Sequence, residues 1–230
     1  AKFCIERWKK GQGITSGNTL RRVLLSDLPG IAIVGVRISG VSHEFSTIPG
    51  LKEDIVELLL NLKQIIFKGK ISEPVITRLR VQGPGIITAQ DIDLPKNIEL
   101  VDPSQYIASL GGRTSLEMEI LIEPGYSYLV SEQVISRLPQ GFLAVDAVFM
   151  PVRKVNFFVE TSQNKSFSTI ESLILEISTN GSVDPSDAII NAASILENIF
   201  ASFKIDEVLP SQSALIVESS EPKNEYTSVM

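Results

Sequence analysis

The chain of 230 residues predicts an α+β fold. Two apolar helical stripes lie near its ends, and a long run of short β-type segments separates them. A hydrophobic fraction of 43% supplies ample core for one large domain or two small ones.

The elements follow in order. Lys2–Trp8 alternates across Phe3, Ile5 and Arg7 and reads as a short strand. Lys9–Gly13 is a polar turn marked by glycine. Thr15 or Ser16 is the expected cap of the helix that follows, because a hydroxyl satisfies a free N–H of the first turn. In that helix Leu20, Val23, Leu24 and Leu28 share a face, Leu25 flanks it, and Pro29-Gly30 is the expected stop. Ile31–Ile38 is β-rich, and a loop with His43, Glu44 and Phe45 follows.

Pro49-Gly50 is expected to open a second helix with Glu53 and Asp54 in its first turn, where the dipole favours acids. Its stripe is Ile55, Leu58, Leu59 and Leu62, and Lys63 sits near its C-terminal end. From Ile65 to Glu160 the predicted strands include Val75–Val81, Glu99–Val101, Ser115–Ile122 and Phe142–Met150. Gly83-Pro84-Gly85 and Pro124-Gly125 are read as turns. Val155–Val159 and Leu173–Ser178 are further strands, and Asn180-Gly181 is a tight turn.

The last helix has Asp184 as N-cap, Pro185 at its first position and Asp187 in the first turn. Its stripe runs through Ala188, Ile189, Ala192, Ile195, Leu196, Ile199, Phe200 and Phe203. That is wide for one small domain, so part of it is expected to face a second chain. Ser211–Met230 is rich in Ser, Glu, Lys and Asn and reads as a linker or tail. The chain opens in mid-pattern without Met, so further upstream residues are expected.

Composition narrows function. The formal charge is -6 and the isoelectric point near 5.0, unfavourable for binding nucleic acid directly. The cations are scattered at Lys9-Lys10, Arg21-Arg22, Arg78, Arg80 and Arg153-Lys154. One cysteine, Cys4, excludes an internal disulfide and points to a reducing compartment. No apolar stretch reaches membrane-spanning length, and no secretory signal is visible.

Catalytic motifs are weak. Gly11, Gly13 and Gly17 follow a strand and precede a helix, but their spacing is one residue longer than the dinucleotide fingerprint. Arg37 stands near the end of the next strand, where an acidic ribose ligand belongs. No Walker lysine follows Gly17. His43 is the only histidine, so a Cys4–His43 pair is the sole thiol–imidazole combination, and Cys/His zinc sites are excluded. Asp91 and Asp93 are the nearest thing to an acidic metal pair. Gly-x-Ser-x-Gly is absent. Two readings remain as alternatives: an oxidoreductase using the Gly11–Gly17 turn, or a generic homodimeric adaptor. Arg21 and Arg22 point about 100° apart on a helix, so one of them is free to reach a partner.

GQGITSGNTLRRVLLSDLPG (Gly11–Gly30) and VSHEFSTIPGLKEDIVELLLNLK (Val41–Lys63) closely resemble the N-terminal domain of the α subunit of bacterial-type RNA polymerase. GPGIITAQDI, DAVFMPVRKVNFFVE and LEISTNGSVDPSDAIINAASIL continue the resemblance in order, to about residue 206. The DAVFMPVRKVN wording is most similar to the cyanobacterial and plastid branch, which implies plastid stroma or bacterial cytoplasm.

The resemblance implies a dimerisation subdomain, residues 1–29 with 156–206, and an inserted β-rich subdomain, 30–155. Residues 207–230 would lead towards a C-terminal domain. It implies a homodimeric scaffold for the β and β′ subunits. Arg22, Leu25, Lys63, Val145 and Asp146 would lie in regions contacting β or β′. Leu20, Val23, Leu24, Ala192, Ile195, Leu196, Ile199 and Phe200 would form the dimer interface. No cofactor is expected on this chain, since the family's catalytic magnesium is held by β′. DNA would be met only through the whole complex or the C-terminal domain.

Overall fold

The computed structural model describes residues 1–163 and 169–203. Strand β1 (Lys2–Lys9) leads into helix α1 (Gln12–Ser26) and then β2 (Pro29–Ile38). After a loop come α2 (Ile55–Lys63), β3 (Phe67–Gly69), β4 (Val75–Gln82), β5 (Gly85–Thr88) and β6 (Ile92–Asp93). Next are β7 (Ile98–Leu100), β8 (Tyr106–Leu110), β9 (Ser115–Tyr126), β10 (Tyr128–Leu129) and the single turn α3 (Ser131–Val134). The chain ends with β11 (Leu143–Ala144), β12 (Ala147–Val148), β13 (Val152–Gln163), β14 (Thr169–Thr179) and α4 (Pro185–Ala201).

The strands form two principal antiparallel sheets. One has three strands in the order β1-β14-β13, and the other five in the order β11-β2-β9-β4-β6. The fold is α+β. In the smaller unit, α1 and α4 lie on one face of the three-stranded sheet. Val23, Leu24 and Leu28 meet Val155, Leu173 and Leu175 there, with Ala188 and Ala192 from α4. In the larger unit α2 inserts Ile55, Leu58 and Leu62 against Val36, Leu79, Met118 and Ile120. The opposite face of the five-stranded sheet is also covered, by Val134, Ala147 and Phe149 over Val34 and Leu121.

Period-two patterning explains the larger sheet. On β9, Leu116, Met118, Ile120 and Ile122 are buried. The intervening Glu117 and Glu119 face out and pair with Arg80 at 2.6 Å and Arg78 at 3.4 Å on β4, and Glu119 also with Arg37 on β2. Opposite charges in cross-strand register stabilise such pairs modestly.

Several local expectations change. Helix α1 starts at Gln12, so Thr15 and Ser16 lie inside it, and its N-cap is Gly11 at φ 86° with no side-chain cap from within the helix. Pro29 and Gly30 begin β2 as well as following the helix stop. Pro49 and Gly50 form a turn well before α2, whose N-cap is Asp54. Glu53 is buried and is held by the Tyr106 hydroxyl and the Ser109 amide at 2.8 Å. Pro124 and Gly125 are strand residues opposite Ile31 and Gly30. Strand β4 reaches only to Ile122 on the other side, so Pro124 removes no ladder bond there. A Cβ on Gly125 would stand 2.7 Å from the Phe149 ring, so close packing requires glycine.

Phe142–Met150 is not one strand. Strand β11 pairs with β2, β12 pairs with β10, and the chain changes partner at Val145-Asp146. Val152 and Val155 fall on the inserted side of a boundary at residue 155, yet they pack in the core of the smaller sheet. The expected tail, 207–230, lies outside the described residues.

Candidate interaction surfaces

The first candidate surface is built where α2 ends. The C-terminal end of a helix favours a cation, and Lys63 is the last helical residue. Its Nζ is 3.0 Å from Asp146 Oδ2 and 5.4 Å from the centre of the Tyr128 ring, within cation–π range. The Ser131 amide donates to Asp146 Oδ1 at 2.8 Å. Held first by that amide and then by the Lys63 ammonium, the Asp146 carboxyl lies well below the usual aspartate range. Partial burial disfavours the Lys63 ammonium, but the bond and charge of Asp146 outweigh this and raise its pKa.

The two charges neutralise one another. Tyr128 and Val148 are exposed apolar side chains next to the pair. Beside it an open cleft of about 480 Å³ runs along the seam between the two units, lined by Gly30, Lys63, Asp102, Phe149, Arg153 and Ser182 among others. Val145 differs from the expectation. Its side chain is 3% exposed within the large core, and its amide bonds Val34 O at 3.0 Å. It positions Asp146 from beneath and presents no side chain of its own.

The second candidate surface is the helical layer. Arg22 is exposed on α1 and has no ion-pair partner among the described residues, and Leu25 beside it is half-buried. Of the residues expected at a dimer interface, Val23, Leu24 and Ala192 are buried in the chain's own core, Leu24 and Ala192 completely. A period of 3.6 marks an apolar face but does not say whose core that face enters. Leu20, Ile195 and Leu196 are half-buried at the margin of this core. The C-terminal end of α4 leaves Ile199, Phe200 and Phe203 uncovered, with Phe200 57% and Phe203 75% exposed and their ring centroids 6.4 Å apart.

Ile14 on α1, Phe158 on β13 and Ile190 on α4 are also exposed apolar side chains. They lie off the apolar stripes, so the periodicity of one face does not reveal them. Ile190, an isoleucine on the polar side of α4, was a readable signal.

The candidate chemical motifs have structural uses. Gly13 and Gly17 let α1 approach the sheet: a Cβ on Gly17 would be 2.6 Å from Phe157, and one on Gly13 would be 3.0 Å from Glu171. The close approach that glycine permits is taken up by the chain itself. Cys4 is exposed on β1, and His43 is hydrogen-bonded to Ser46 at 3.2 Å within its own loop. Asp91 caps a short turn through the Thr88 amide, and Asp93 stands opposite Arg78. Among the described residues no group of three His, Cys, Asp or Glu side chains is placed to hold a metal ion.

Residues 36–150 match the family model described as the RNA polymerase Rpb3/RpoA insert domain. Similar curated proteins carry the name DNA-directed RNA polymerase subunit alpha. The one from Emiliania huxleyi is 61% identical over 200 residues, covering 87% of this chain and 65% of its own length. The one from Rhodomonas salina is 50% identical over 212 residues, covering 90% and 68%. The one from Cyanidium caldarium is 46% identical over 219 residues, covering 95% and 70%. The chain spans about two thirds of the length of the curated relatives it matches.

Proposed function

The chain belongs to the α-subunit family of DNA-directed RNA polymerases, and from that premise we propose that it is a non-catalytic scaffold on which such a polymerase assembles. The observation that carries this reading is the pairing of family membership with an uncovered apolar helix end. Among the described residues, Ile199, Phe200 and Phe203 are large apolar side chains left exposed. A second copy of the chain is the partner proposed for them, because an isologous contact buries the same patch on both sides. The three-stranded sheet with α1 and α4 serves as the dimerising unit, and the five-stranded sheet with α2 as the unit set against the large subunits.

The dimer then offers each outer surface twice. Arg22 and Leu25 on α1, and the region of Lys63 and Asp146, serve as contacts to β or β′. Arg22 suits this role because its planar guanidinium binds a carboxylate through two bonds. Nucleotide addition and the magnesium it needs belong to the large subunits. DNA is met through the whole complex or through a further domain of the α subunit. None of the described helices is long and apolar enough to cross a membrane. Plastid stroma is the proposed location, with bacterial cytoplasm as the other branch of the family.

The test is tagged purification of the chain from its native cells, with mass spectrometry of the co-purifying proteins. Two very large β-type subunits are expected. Recovery of the dimer without them would leave a generic adaptor and remove the polymerase reading.

A further inference from the structure

Glu171 on β14 is a carboxylate buried to 4% exposure that pairs with no cation among the described residues. Its Oε1 accepts from the Gly11 amide at 2.8 Å and its Oε2 from the Gly13 amide at 3.0 Å. These donors open α1, which no side chain of its own caps. Helix N-termini present free N–H groups and the positive end of the dipole, so an anion is favoured there. Here the anion comes from a strand more than 150 residues away in sequence.

Three departures from regular backbone bring the carboxylate and the helix together. Strand β1 carries a bulge between Ile5 and Trp8, where Glu6 and Arg7 stand against the single residue Ser172. Arg7 adopts φ 73°, a conformation strained for any residue but glycine. The extra residue places Trp8 directly opposite Glu171 and turns it towards the core. Gly11, at φ 86°, then reverses the chain into the helix. Gly13 has no Cβ to crowd Glu171. A strained arginine and two glycines thus serve one contact.

We infer that Glu171 is the positioning residue of α1: an internal anion that holds the helix N-terminus and so sets the rotation and axial position of Arg22. The reason is mechanical. Helix α1 lies on β13 and β14 through Gly17 beside Phe157 and Leu173 and through Val23, Leu24 and Leu28, apolar contacts that lack a directional bond to fix its register. One residue of slippage along the helix turns a side chain through about 100°. Two charge-assisted bonds at one end remove that freedom, since they are directional and roughly twice as strong as neutral ones. This inference rests on the scaffold reading, in which Arg22 meets a large subunit.

The experiment uses the full chain co-expressed with the β and β′ subunits, comparing Glu171→Ala and Glu171→Gln with the wild type. Amide hydrogen exchange is followed at Gly11 and Gly13 and, as reference, along β9. The emission of Trp8, the only tryptophan, reports the same corner. Exchange at Gly11 and Gly13 is expected to accelerate about ten- to a hundredfold with β9 unchanged. Trp8 emission should shift, and recovery of the large subunits should fall. Added formate, a free carboxylate, should slow the exchange again in Glu171→Ala and restore recovery.

Unchanged exchange at both glycines overturns the inference. So does equal acceleration along β9, which would make Glu171 a general stabiliser, or a lack of response to formate. Should the alanine variant not fold, the glutamine variant keeps the shape, removes the charge and gives the same comparison of exchange at Gly11 and Gly13 against β9, without formate. If the wild type recovers no large subunits the scaffold reading falls, while exchange at Gly11 and Gly13 still decides the role of the cap.

Discussion

At the scale of single residues, the Lys63–Asp146 pair shows how a charged contact is built without a deep cavity. The side chains are 27% and 34% exposed, so water screens them and the pair is worth about 1 kcal/mol, the upper end for exposed ion pairs. Asp146 has a lowered pKa, so its contribution is complete above the ordinary aspartate value of 3.8 and is lost as pH falls through the lower folded value. Lys63 has a raised pKa, so its contribution is complete below 10.5 and is lost as pH rises through the higher folded value. Asp146→Asn should therefore destabilise the chain by about 1 kcal/mol at neutral pH. Urea unfolding should show the gap to wild type closing in strong acid, and a gap independent of pH would refute this account. Arg22→Ala removes an exposed side chain that supports nothing inside the fold. It should fold and dimerise normally yet recover less β and β′, and full recovery would take Arg22 off the contact surface.

At the scale of elements, glycine sets how closely helices and strands approach. Gly17→Ala adds helix propensity worth about 1 kcal/mol. Its Cβ would meet the Phe157 ring at 2.6 Å, and overpacking costs about 1–3 kcal/mol. A ring can tilt, so the net loss should be small, about 1 kcal/mol. Gly30 differs. A Cβ there would stand 1.7 Å from the Phe149 carbonyl oxygen, and backbone yields only if β2 itself moves. Gly30→Ala should cost roughly 3 kcal/mol or more. Thermal unfolding of the two variants tests the order, and a Gly17 variant less stable than the Gly30 variant would contradict it.

At the scale of the whole molecule, the three-stranded sheet and its helices form one apolar core, and the five-stranded sheet forms two. The seam between the units runs beside Lys63, so a contact there touches both. Helix α4 divides its apolar residues between two tasks. Ala188 and Ala192 are buried in the chain's own core, whereas Ile199 and Phe200 are exposed among the described residues. A dimer-breaking substitution belongs at the second group. Phe200→Asp should yield a folded monomer by sedimentation and circular dichroism, because Phe200 is largely exposed and the ring it meets, Phe203, is itself exposed. Ile195→Asp or Leu196→Asp would also damage the monomer, since both pack against its core. A Phe200→Asp variant that stays dimeric under dilution would place the interface elsewhere.

The amino-acid sequence alone determined much of this architecture. Alternation along Ser115–Ile122, the stripe of Ile55, Leu58 and Leu62, and the Asp184-Pro185 start of α4 were legible, because each depends on residues within a few positions of one another. Lys63 and Asp146 were named separately by resemblance, and only the fold brought them to 3.0 Å. Burial was legible as apolar periodicity but not as ownership. Val23, Leu24, Ala192 and Val145 were placed at interfaces by resemblance, and their side chains are buried in the chain's own core. Pro124-Gly125 looked like a turn, yet a strand accepts proline where its neighbour has already ended. The cap of α1 was hidden most completely, for Glu171 lies far along the chain from the glycines it holds. Local physics writes strands, stripes and caps into neighbouring residues. Which carboxylate meets which helix end, and which apolar face stays in water, is decided by contacts between distant segments that form only as the chain closes.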